Sequence, residues 1–153
     1  MKRLIVVRNG QYKGSGTDEA LTSIGQRQIW TVANRFADIE LGRTGIFTSP
    51  APPAQECADI IAGFLVERVT IVDCLDYEAR QRATEFPETL DLVRGIADDH
   101  DTVILVTHFG VACSFLQYYA RAVLNHDYDE FMLLHEGAAR LLRVDSGGGL
   151  SDI

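Results

Sequence analysis

Three short stretches of this sequence carry side chains with chemistry to offer. "VVRNG" (Val6 to Gly10) ends an apolar run in Arg8 and Asn9, "FTSP" (Phe47 to Pro50) ends a second in Ser49-Pro50, and "VTHFG" (Val106 to Gly110) ends a third in His108. A guanidinium stays charged and presents a planar fork of donors that matches phosphate geometry. An imidazole changes protonation near neutral pH. Brought together beside the N-H groups of helix starts, the two describe an anion site, most naturally for phosphate. Each residue also has a plainer reading. Asn-Gly is a common turn pair because both residues tolerate positive φ, and a lone histidine at a strand end is often structural.

Other candidates are weaker. Gly14-Ser15-Gly16 matches neither GxGxxG nor GxxxxGK[ST] and reads as a flexible loop. His100, His126 and His135 show no HxxxH or HxH spacing, so neither a metal nor a cofactor is expected. Cys57, Cys74 and Cys113 are odd in number and scattered, which predicts reduced cysteines in or near the core.

The elements that would position these residues alternate. "RLIVV" (Arg3 to Val7) is a continuous apolar run, the kind buried on both faces of a parallel sheet. Thr22 is a plausible N-cap for a helix with Ile29, Ala33 and Phe36 inward. "TGIFTS" (Thr44 to Ser49) is a second strand, followed by a helix with Cys57, Ile60, Ile61 and Phe64 on one face. "RVTIVDC" (Arg68 to Cys74) is a third strand. A polar stretch from Leu75 to Phe86 precedes a helix opening at Pro87, with Leu90, Val93 and Ala97 inward. "TVILVTH" (Thr102 to His108) is the fourth strand, with a helix after it, and "GAARLLRVD" (Gly137 to Asp145) the last. This alternation predicts an α/β fold with a mostly parallel central sheet, where ligands sit beyond the carboxyl ends of the strands.

One domain over 1–144 is expected, with 145–153 as a frayed Gly-rich tail. The formal net charge of -8 argues against nucleic acid or an anionic membrane surface as partner. It also means that a phosphate would need a local basic pocket. No run approaches the roughly 18 apolar residues of a membrane span, and "LIVV" is too short for a signal-peptide core, so a cytoplasmic location is expected.

Taken together, the motifs resemble the histidine phosphatase superfamily, the phosphoglycerate mutase-like fold, and in length its short branch, which includes phosphohistidine phosphatases. Members open with a strand ending in Arg-His-Gly, near to "LIVVRNG", and continue with Leu-Thr-x-x-Gly, present as "LTSIG" (Leu21 to Gly25). A strand ending in Ser-Pro is followed two residues later by Arg-Ala and a helix, here "TSPAPPAQECADII". A later strand ends in a second histidine, here "VILVTHFG". The resemblance spans Lys2 to Leu116 and implies a three-layer α/β/α sandwich. It implies phosphoryl transfer through a covalent phosphohistidine. The first histidine attacks, two arginines and the second histidine hold the phosphoryl oxygens, and a carboxylic acid protonates the leaving oxygen.

Two positions depart from that pattern. Asn9 stands where the nucleophilic histidine belongs, and an amide nitrogen, its lone pair delocalised, cannot replace it. Pro53 stands where the second arginine belongs; it can open a helix but gives phosphate no donor. Glu78 is the nearest candidate acid, one residue out of alignment. The resulting expectation is a catalytically silent relative that keeps a partial phosphate pocket from Arg8, His108 and helix N-termini, for a phosphorylated metabolite or protein. A first alternative is an active phosphatase or mutase with a rearranged site. There Glu78 or an activated water replaces the histidine, and Arg80 or Arg82 supplies the lost arginine from a flap that also holds Tyr77 and Glu85. A second alternative is a scaffold or homo-oligomerising domain using Trp30, Tyr118, Tyr119 and Phe131, favoured by an Arg8 salt-bridged to a protein carboxylate with no open crevice.

Overall fold

The computed structural model describes residues 1–76, 85–128 and 132–153. Its chain order is β1 (Arg3–Arg8), β2 (Tyr12–Lys13), β3 (Ala20–Leu21), α1 (Ser23–Arg35), β4 (Thr44–Thr48) and α2 (Pro52–Leu65). It continues with β5 (Val69–Ile71), α3 (Pro87–Ile96), β6 (Thr102–Thr107), α4 (Phe109–Leu124), β7 (Ala139–Arg143) and β8 (Gly149–Asp152). Among the described residues, six strands form one sheet in the order β5-β4-β6-β1-β7-β8. The β5-β4, β4-β6 and β6-β1 pairings are parallel; β1-β7 and β7-β8 are antiparallel.

Alternation along the central strands splits the core into two layers. Leu4, Val6, Val103, Leu105 and Leu142 face Leu90, Val93, Phe115 and Leu116 of α3 and α4. Ile5, Val7, Ile104, Val106 and Leu141 face Ile29, Ala33, Cys57 and Ile61 of α1 and α2. The expected three-layer α/β/α sandwich is therefore present. Strands β1 and β6 are buried on both faces, which is why they read as unbroken apolar runs. Thr22 caps α1 as its sequence position suggested, its Oγ1 accepting from Gly25 N at 3.1 Å.

The end of the chain corrects the expected frayed tail. Residues Gly149–Asp152 pair with β7 as an edge strand, and Asp152 forms an ion pair with Arg140. Gly147 and Gly148, at φ +81° and +96°, make the reversal that L side chains disfavour. The ribbon of β2 and β3 is also additional to the sequence-based outline.

Candidate active site

Central strands β4, β6 and β1 are neighbours, so their carboxyl ends meet at one edge of the sheet. Arg8 is in register with Thr107, the residue before His108, and Ser49 N donates to Val106 O. The three strand ends converge as the sequence suggested, although their side chains do not all face one space.

His108 is buried and caps the start of α4. Its Nε2 lies 2.9 Å from Ser49 Oγ, and that hydroxyl oxygen accepts from Ala51 N at 3.1 Å. Burial pushes the imidazole below its ordinary 6.5, and the negative charge of Asp76 draws it part of the way back. The ring is thus neutral near pH 7. A cavity of about 260 Å³ opens beside it, lined also by Asp76, Glu19, Tyr12 and the turn from Pro50 to Pro52.

The lowered His108 value has a measurable consequence. Between the folded and unfolded values, the unfolded chain binds more protons, so stability from this group is present above 6.5 and is lost as pH falls from there through the lower folded value. The fall in Tm between about pH 7.5 and about pH 5.5 is expected to be smaller in His108→Gln than in the native chain. Parallel curves would remove His108 as a source of the pH dependence.

Arg8 leaves β1 toward a different set of partners. Its Nη1 donates to Leu134 O at 2.9 Å, its Nη2 lies 3.8 Å from Glu136 Oε1, and its guanidinium carbon stands 4.9 Å from the Phe109 ring centroid. Among the described residues, no arginine lines the His108 cavity. Half of the condition for a ligand-free domain is therefore met, an Arg8 held by a carboxylate, while the crevice itself is open. The aromatic residues suggested for that domain differ in exposure. Trp30 is 50% exposed, whereas Tyr119 is buried against Phe115.

Asn9 is 3% exposed, and its Nδ2 donates to Gly10 O at 3.1 Å. Gly10 N in turn donates to Cys57 Sγ at 3.4 Å. Burial pushes that thiol up to about 12, so it remains protonated and acts here as a packing and hydrogen-bonding group.

Pro53 is buried in the first turn of α2, after Pro52. Neither proline has an N-H, and Ala54 N and Gln55 N both bond to Ala51 O. The start of α2 is thus poor in donors for an anion, against the expectation that both helix N-termini would contribute. The start of α4 keeps Phe109, Gly110 and Val111 N-H groups at its first turn.

Glu78, Arg80, Arg82, Tyr77 and Phe131 lie outside the described residues. Sequence reading missed Asp76, Glu19, Tyr12 and Cys57 as site residues. Only Asp76 left a local signal, since it stands in the same polar stretch as Glu78. Among the described residues, no group of three or more His, Cys, Asp or Glu side chains is placed to hold a metal ion, and no helix is long and apolar enough to cross a membrane.

No protein-family description matches the sequence, and no curated protein is significantly similar to it. Solved structures are similar over nearly the whole chain. A protein assigned as the phosphohistidine phosphatase SixA from Agrobacterium tumefaciens aligns at 16% identity and TM-score 0.73, covering 99% of this chain and 95% of that one. YhfR of Bacillus stearothermophilus aligns at 20% identity and TM-score 0.68, covering 99% and 96%. A mycobacterial glucosyl-3-phosphoglycerate phosphatase aligns at 16% identity and TM-score 0.68, covering 100% and 98%. At such identities the likeness is one of fold, and the chain has a phosphoglycerate mutase-like fold.

Proposed function

We propose that this chain is a catalytically silent protein on a phosphatase fold, retaining a weak anion site for a phosphorylated small molecule or protein. The observation that carries the proposal is Asn9, which sits buried at the nucleophile position with its amide engaged on Gly10 O. A phosphoryl group cannot be accepted there, because the amide lone pair is delocalised into its carbonyl. Pro53 removes the second cation, and His108, although well placed by Ser49, is a neutral hydrogen-bonding group. Arg8, His108 and the first turn of α4 remain as the anion-binding elements. A mycobacterial protein of the same fold has been solved with VO3 and with inorganic phosphate, which gives the fold a precedent for binding such groups.

One guanidinium and a helix start, opposed by a net charge of -8, should hold inorganic phosphate with a Kd on the order of 1 mM. Titration followed by NMR is expected to show saturable shifts near Arg8 and His108 in the native chain, and none in Arg8→Ala. A ligand-free interaction domain is the second reading, and the Arg8–Glu136 ion pair favours it. No saturable shift in the native chain would decide for that reading.

A further inference from the structure

The segment that follows 131 wraps around the end of β1. Arg8 N donates to Ala138 O, and Gly137 N donates to both Arg8 O and Asn9 O. Behind it, the buried Arg140 guanidinium donates to Met132 O and Leu133 O and pairs with Asp152. Glu136 is therefore carried to Arg8 by a backbone fixed on both sides. Its side chain is 43% exposed, against 19% for Arg8. The guanidinium meets a carbonyl on Nη1, a carboxylate on Nη2 and an aromatic face at Phe109.

A carboxylate and a phosphate present the same kind of oxygen acceptor to a guanidinium fork. Resting on the anion-site reading above, we infer that Glu136 is an internal competitor for Arg8, a built-in anion that a phosphorylated ligand must displace. In the free protein Arg8 is held by Glu136 and turned from the His108 cavity. When phosphate arrives, the Glu136 carboxylate yields Nη2 and swings to solvent, which its exposure permits. The pair is partly solvated, so displacement is easy and the competition is modest.

Inorganic phosphate titrated against the native chain and Glu136→Gln tests the inference. The neutral amide is expected to raise phosphate affinity roughly fivefold, by removing both the competing partner and its repulsion of the incoming anion. Glu136→Asp, which keeps the charge, is expected to stay within about twofold of native. Native binding with equal or weaker affinity in Glu136→Gln overturns the competitor role while leaving the anion site standing. No binding to any of the three proteins overturns the anion site, and the competitor role with it.

Discussion

Asn9→His/Pro53→Arg is expected to hydrolyse a generic aryl phosphate at a rate at least about 10³-fold above that of the native chain. The magnitude follows from what the two positions lack. Removing a covalent nucleophile from enzymes that depend on one costs on the order of 10⁴ to 10⁶ in turnover. Losing a charge-assisted hydrogen bond to phosphate costs roughly 1.5 to 3 kcal/mol more. The reversion recovers only part of this, because Arg8 is still drawn to Glu136 and Leu134 O. Asn9→His alone should recover less than the pair, since a phosphohistidine without the second guanidinium leaves a phosphoryl oxygen without its cation. Equal turnover in the native chain and the double variant would sink the silent reading. It would move attention to an activated water near Asp76 and His108, which share the cavity. No turnover in either protein would mean that the scaffold no longer aligns the strand ends for chemistry.

The fold was legible because its central strands are buried on both faces. "RLIVV" and "VILVT" are continuous apolar runs that have no other place in a small domain, and each precedes a segment with helical spacing. Edges were less legible. A strand of four residues such as β8 has one neighbour and little apolar pattern, and the glycines that make its hairpin look like a loose tail in sequence. For the site, Arg8, Asn9, Ser49 and His108 could be found because each closes a strand, and strand ends in a parallel sheet share one edge. Glu136 could not. Its partner Arg8 lies at the other end of the chain, and no local pattern links a lone glutamate to a distant arginine. The lining residues Tyr12, Glu19 and Asp76 come from separate places, in β2, just before β3 and after β5, each an ordinary position until the chain is folded.

Gly25→Ala is expected to destabilise the protein by about 3 kcal/mol or more, although alanine is the better helix former. Gly25 lies in the first turn of α1, and a Cβ there would stand 2.1 Å from Gln11 O and 2.9 Å from Gln11 N. Both are backbone atoms and cannot rotate away. The same contact seen from the other side places a Cβ on Gly10 at 2.6 Å from Gly25 O. The turn that carries Arg8 and Asn9 therefore lies directly on the start of α1. It is tied there by Thr22 N donating to Gln11 O and by Thr22 Oγ1 donating to Gln11 Oε1 at 2.8 Å. This gives the Leu-Thr-x-x-Gly stretch a physical meaning: threonine caps the helix and the glycine lets the site loop approach it. Gly63 in α2 and Gly95 in α3 have nothing within 4 Å of a built Cβ. Alanine at either of those exposed helical positions is expected to raise stability by roughly 0.5 to 1 kcal/mol. Chemical denaturation of the three variants separates backbone approach from helix propensity, since the first predicts opposite signs and the second predicts one. A Gly25→Ala protein as stable as Gly63→Ala would remove close packing as the reason for the glycine. Placed on the Asn9→His/Pro53→Arg background, Gly25→Ala should also abolish the recovered turnover at temperatures where the chain stays folded, because the loop it displaces is the one that aims residue 9.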